Sequence, residues 1–477
     1  MPQEKQTNSK EIENPGEPIA SIRIMADYAF CFFLVFACVL GGKSLTPLLI
    51  FGLIPIFWAR RDIVLNTFSA VPFIVKFATV AYFLHGMVYL TIYPGIPRDL
   101  QPPPNPSWEL YLVAILMLLI GFIRGADIDD LRIKLTTAIA PSLYISFIVL
   151  TIYAILDVTG DGRVQAAAAW PFIPALLFSM WAFIGLAGWA HLSASQRLLR
   201  LGLISLSIVV VHGYTGSRGV GLAHSVVLLL LFFMSIFAGE ARRRLPNPTA
   251  LGAAVVIGLI LFTAHQGATS NGAILRLQHV SDFLTHYIQR VPASDGSTNE
   301  GAIPPSDSAA TQSTQSEVSE PQAQRPATSD ASTNIRIDMW IVSLREISTA
   351  PLFGHGALSM KTIIDEKFGL QHNHNQFLSW LLTGGLLLFI LGTLFLLTPT
   401  LSTPLMARED RFLIFVSTFV LWGAAMMFDS FLSLKFYLHY FCLLAGIIAA
   451  MAAREQTHKE KCPQTLARNE PAARNSQ

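Results

Sequence analysis

The chain has 477 residues, of which 52% are hydrophobic and only 13% charged, a composition that excludes one soluble core and predicts a polytopic membrane protein. Its formal charge of +2 is close to balance, so no global field argues for nucleic acid or an acidic partner. Cys31, Cys38 and Cys442 fall in apolar runs and Cys462 in the polar C-terminal stretch, without the spacing of a disulfide framework or a thiolate metal site. Residues 1–21 are polar and lack the basic start and small-residue cleavage site of a signal peptide, so the first apolar run is expected to stay as an anchor.

Apolar runs of helical length predict twelve spans, at about 26–40, 44–58, 68–93, 108–123, 135–157, 169–190, 198–213, 219–238, 250–265, 376–397, 412–428 and 435–452. The first two and the ninth are short for a bilayer. The third is long and must tilt or kink, and Pro72 near its start offers the place. Lys and Arg concentrate in the N-terminal tail, at Arg60 and Arg61, from Arg124 to Lys134, at Arg197 and Arg200, from Arg242 to Arg244, at Arg408 and Arg411, and in the C-terminal tail. The alternate short loops hold only Lys43, Arg98, Arg163, Arg218 and Lys435, and this asymmetry predicts that both termini are cytoplasmic. The expected organisation is a cytoplasmic tail at 1–25, nine spans over 26–265, one large outer loop at 266–375, three spans over 376–452, and a cytoplasmic tail at 453–477.

The outer loop reads in three parts. Residues 272–291 carry apolar residues at helical spacing, and residues 292–334 have no aromatic residue and much Ser, Thr, Ala and Pro, the composition of a disordered insert. From Ile335 to Ser348 helical spacing returns, with Ile337, Ile341 and Leu344 on one stripe and Asn334 as the expected cap. A turn at Gly354-His355-Gly356 precedes a shorter helix to Gly369.

Polar chemistry gathers on this outer side. QHNHNQFLSWLLTGG, from Gln371 to Gly385, sets His372, Asn373, His374 and Asn375 directly before the tenth span. With that span starting near Asn375, His374 lies at its first turn, where the positive end of the dipole favours a neutral imidazole able to accept a proton from an alcohol; the alternative is a capping histidine at the interface. Arg218, in HGYTGSRGVG, stands at the outer start of the eighth span, where a cation and free amides suit a phosphate, or where an arginine snorkels to headgroups. Arg336 begins the loop helix and is either a second anion contact or part of a solvated face. Asp157–Arg163 is expected to be a tight turn, because Ala168 stands where a calcium loop needs its last glutamate. Lys76 is expected to snorkel, His85 to line a groove, and Asp429 to pair with Lys435 rather than orient an active-site group.

SRG at Ser217–Gly219, RIDMW at Arg336–Trp340, PLFGHG at Pro351–Gly356 and HNHNQFLSWLLTGG occur in an order that resembles the O-antigen ligase superfamily, O-antigen ligase most closely. The family pattern of His, then Asn, Ser or Gln, nine residues and Gly is met by His374, Asn375 and Gly385, but not from His372, whose corresponding position is Thr383. The insert at 292–334 departs from a compact family loop. The resemblance implies an all-α fold like that of C-type glycosyltransferases, in a bacterial inner membrane with the active site facing the periplasm. It implies transfer of a glycan from an undecaprenyl pyrophosphate carrier to a hydroxyl of lipid A-core, with inversion and without metal or other cofactor. His374, Arg218 and Arg336 would be catalytic, and His372, Asn375, Ser217 and Arg345 would bind substrate. Polymerases and protein O-oligosaccharyltransferases share these motifs, and a transporter of lipid-linked glycan is the alternative from another class. Two histidines alone make a poor metal site, which also predicts metal independence.

Overall fold

The structure, a computed structural model, describes residues 17–40, 60–92, 108–156, 172–215, 217–237, 245–268, 329–356, 359–370, 372–404, 406–433 and 435–461, and these form helices and turns without strands. In chain order the main helices are α1 (Glu17–Leu40), α2 (Arg60–Ala70), α3 (Phe73–Ile92), α4 (Trp108–Asp127), α5 (Leu131–Leu156), α6 (Phe172–Ile184) and α7 (Ala194–Ile208). They continue with α8 (Arg218–Phe237), α9 (Pro248–Ala268), α10 (Ser329–Thr349), α11 (Gln376–Leu396), α12 (Arg408–Phe415), α13 (Leu421–Met426) and α14 (Lys435–Lys461). Eight helices among the described residues are long and apolar enough to cross a membrane, or nine with the pair α2 and α3 taken as one span, so the chain is a multi-pass membrane protein.

The expected twelve spans are therefore not all present as single long helices. The run at 44–58 lies outside the described residues, as do the turn at 157–163 and the outer-loop segments up to residue 328. The sixth run yields only the thirteen residues of α6. The eleventh is built in pieces, α12 and α13 joined through a π turn at Val416–Val420. The first and ninth, which read as short, are full-length because their helices extend past the apolar core into polar residues. α2 and α3 meet at 98°, and the break falls at Pro72, whose ring cannot continue a helix. Lys76 Nζ reaches back across this bend to the Ser69 carbonyl at 3.1 Å.

Close helix contact is set by small residues. Gly121 and Gly125, four apart on α4, meet Gly446 and Ala450 of α14: a β-carbon on Gly121 would fall 2.1 Å from the Leu443 carbonyl oxygen, and one on Gly446 2.2 Å from that of Leu118. Small residues at this spacing let two backbones touch where lipid supplies no hydrophobic drive. At one end of the bundle, ion pairs tie separate segments together. Lys134 meets Asp27 at 2.7 Å, Arg23 and Arg60 both meet Asp127 at 3.4 Å, and Arg454 meets Asp129 at 2.7 Å, while Arg132 bridges Asp410 and Glu455. These are the segments that the Lys and Arg count assigned to one side.

At the other end α10 packs on α11 through Met339, Ile364 and Leu382. The expected stripe is only partly right. Ile337 is buried, but Ile341 and Leu344 are exposed, and the inward face is completed by Met339 and Ser343. Asn334 is not the cap either, since the helix begins five residues earlier, at Ser329.

Candidate functional site

The site is built on a break in α11. Gly385 has φ 62° and ψ −160°, so the helix cannot bond Leu386 N to Leu382 O or Leu387 N to Thr383 O. Each group is satisfied by the turn of residues 351–356. His355 N donates to Leu382 O and Gly356 N to Thr383 O, both at 2.8 Å; Leu386 N donates to Pro351 O at 2.8 Å and Leu387 N to Leu352 O at 3.3 Å. The docking demands glycine, because a β-carbon on Gly385 would fall 2.3 Å from the Leu352 carbonyl carbon. Two motifs that are separate in sequence are thus one structural unit. By taking up the backbone groups that the break frees, the turn allows the helix to break there.

The strap 372–375 leads into this helix. Its asparagines turn inward. Asn373, fully buried, accepts from Asn375 N at 3.1 Å and Ser379 Oγ at 2.9 Å and donates to Ser343 Oγ at 3.3 Å, while Trp340 Nε1 donates to its carbonyl at 2.8 Å. Asn375 is the helix cap, its Oδ1 accepting from Leu378 N at 3.1 Å. His374 therefore sits one residue outside the helix, not in its first turn, and adopts φ 52°, uncommon for a residue with a β-carbon. The histidines turn the other way. Their ring centroids lie 4.3 Å apart, and both face Asp429, with His374 Nδ1 at 3.5 Å and His372 Nε2 at 3.6 Å from Asp429 Oδ1.

Asp429 faces both histidines, which suits the orienting role set beside the ion pair with Lys435 in the sequence reading; the Lys435 side chain lies outside the described residues. Asp429 follows α13 in a turn where Ser430 N donates to Oδ1 at 2.8 Å and Ser430 Oγ lies 3.1 Å from Ser379 Oγ, so the buried polar network of the strap also positions the carboxylate. Gln376 locks the next turn by accepting from Ser433 N at 3.1 Å. Burial by itself pushes the Asp429 carboxyl up, but contact with His374, the charges of both histidines and the Ser430 amide together hold it below the ordinary carboxylate range. The 3.5 Å contact is long for a hydrogen bond, and His374 Nδ1 is buried without a closer partner. Burial, the charge of His374 and that of Arg336 lower the His372 imidazole, with Asp429 opposing.

Arg336, half-buried on α10, is near enough to act on both His372 and Asp429, and its own guanidinium is lowered by burial against the attraction of Asp429. Trp340 and Ser343, one and two turns on, share its face and hold the strap, which is why this arginine is aimed at the site. Arg345 is exposed, nine residues further and so half a rotation away, facing off the cluster. Arg218 is exposed at the first residue of α8. Its turn reaches the site through Gly219, where a β-carbon would fall 2.6 Å from Phe428 Cβ, next to Asp429. Ser217 is buried and its Oγ accepts from Val220 N at 3.4 Å, a capping contact. His85 of α3 packs against α11 at Gly384, away from the strap.

The arrangement thus sets two imidazoles on one carboxylate, with one guanidinium beside them and a second on an adjoining turn. The expectation that the histidines stand without a carboxylate fails, since ligand atoms of His372, His374 and Asp429 all lie within 4.8 Å of one another. Sequence reasoning missed the supporting roles of Asn373, Trp340, Ser343, Ser379 and Ser430, although Asn373, Trp340 and Ser379 lie inside the motifs it singled out. Residues 201–392 match a family model described as O-antigen ligase, which supports membership of that superfamily. The match takes in Arg218, Arg336 and both histidines but ends before Asp429. No curated protein matches the chain.

Proposed function

From the premise of an O-antigen ligase domain over residues 201–392, we propose that this protein transfers a glycan from undecaprenyl pyrophosphate to a hydroxyl of lipid A-core at the periplasmic face of the bacterial inner membrane. The observation that carries the reading is His374 held with Nδ1 toward Asp429. That orientation assigns the Nδ1 proton to the carboxylate side and leaves Nε2 as the acceptor, the base–orienter relation of hydrolytic triads. Nε2 takes the proton of the attacking hydroxyl as its oxygen bonds to the anomeric carbon. The bond from that carbon to the pyrophosphate oxygen breaks, and the electron pair leaves with the phosphate. Attack opposite the leaving group inverts the centre. Asp429, as a positioning residue, steadies the imidazolium, and Arg336 with Arg218 stabilises the charge growing on the pyrophosphate. His374 supplies the base and the two arginines the positive charge at the leaving group, so this reading calls on no metal.

Lipopolysaccharide from a deletion strain tests the reading: core without polymer is expected. Core carrying a single repeat would make the protein a polymerase. A protein acceptor is the second reading, favoured by the Ser, Thr, Ala and Pro content of residues 292–334, which resembles O-glycosylation targets. Glycan found on that segment by mass spectrometry would support it. A transporter is disfavoured because the backbone groups freed by its broken helix should face a substrate or ion. In α11 they are taken by residues 351–356.

A further inference from the structure

We propose that His372 Nε2, His374 Nδ1 and an Asp429 carboxylate oxygen form a site for a borderline transition-metal ion, zinc foremost, and that the ion reversibly shuts off transfer. Zinc binds imidazole nitrogen and carboxylate oxygen at about 2.0–2.1 Å, so a tetrahedral site places ligand atoms about 3.3 Å apart. Two of the three edges here, 3.5 and 3.6 Å, already stand near that value, and the full set lies within 4.8 Å. His374 Nδ1 has no closer partner to give up. Asp429 and the strap are held from behind by Ser430, Asn373 and Ser379, so the ligands are fixed before any ion arrives. Two imidazoles with one carboxylate suit zinc, nickel or copper(II), whereas magnesium and calcium seek oxygen ligands. Arg336 opposes a cation, which sets this site below a structural zinc site in affinity.

Blockade follows from the tautomer. A neutral imidazole that gives Nδ1 to a metal carries its proton on Nε2, and Nε2 then has no lone pair for the acceptor hydroxyl. Binding rests on geometry alone; its consequence for transfer rests on the base assignment made above.

The test uses the purified full-length protein in detergent, titrated with cobalt(II) and followed by visible absorption, then displaced with zinc. One equivalent of cobalt should give the intense bands of low coordination, and zinc should abolish them. His372→Gln, His374→Gln and Asp429→Asn should each weaken binding about tenfold or more, as even outer-shell losses do at metal sites. Zinc should raise the melting temperature of the wild type, a readout that needs no variant to fold. In the transfer assay, zinc should inhibit over the same concentrations and release on chelation, while magnesium and calcium should not inhibit. Absence of cobalt bands and of a melting shift, or unchanged affinity in all three variants, would overturn the site and leave the base assignment standing. Zinc that binds here without slowing transfer would overturn both the blockade and His374 as base.

Discussion

At the scale of single residues, the His374–Asp429 contact makes a separable prediction. His374→Ala should abolish transfer in a protein that still inserts and folds, whereas near wild-type turnover would require the proton to leave by another group. Asp429→Asn keeps the shape but loses the charge that fixes the tautomer, and a comparable change in a hydrolytic triad costs about 10⁴ in turnover. The loss should fall on kcat and leave the donor KM close to its starting value, because Asp429 steadies a charge that appears only during transfer. A rise confined to KM would assign Asp429 to substrate binding. For the two arginines, single Ala variants should each cost about 2–4 kcal/mol of barrier, and the double variant less than the sum, since both act on one leaving group. Lysine should rescue only in part, keeping the charge without the planar fork. Strict additivity in the cycle would show two independent contacts, a live outcome given that Arg336 is half-buried and Arg218 exposed.

At the scale of elements, the break in α11 and the turn of residues 351–356 should stand or fall together. Gly385→Ala places a β-carbon in a backbone region that costs about 1–3 kcal/mol in strain, and drives it into Leu352. The turn should be displaced, uncovering four backbone groups. A lowered melting temperature together with lost turnover is expected; a variant with both unchanged would show that the docking is dispensable. Asn373→Ala acts on the other side of the strap. It leaves the buried Asn375 amide without its acceptor, at about 1–3 kcal/mol, while Ser379 Oγ keeps the Asn375 carbonyl at 2.9 Å. Thermal unfolding beside the wild type checks it, and no change would show that water replaces the amide.

At the scale of the whole molecule, residues 292–328 are expected to be replaceable by a short Gly/Ser linker with transfer retained, because their composition offers little apolar surface to bury. Transfer assays on purified linker and wild-type proteins decide it, and loss of activity would assign the segment a part in the site or its assembly. The membrane class, the helical content and the two motifs of the site were legible in the amino-acid order, because twenty-residue apolar runs, prolines and glycines act locally. Which apolar face is buried was not. Ile341 and Leu344 have the same spacing as buried residues yet lie exposed, since hydrophobicity in a membrane protein does not distinguish protein from lipid as the neighbour. The contact of Asp429 with the strap was hidden for a related reason: the close approach of Gly219 in α8 to Phe428, one residue before Asp429, sets the acidic turn beside the strap, and that is a meeting of segments distant in the chain. The sequence by itself determined a glycine at 385 and histidines at 372 and 374. Only tertiary structure decided that the glycine receives another turn's carbonyl groups and that the histidines share one carboxylate, because both depend on contacts between segments distant in the chain.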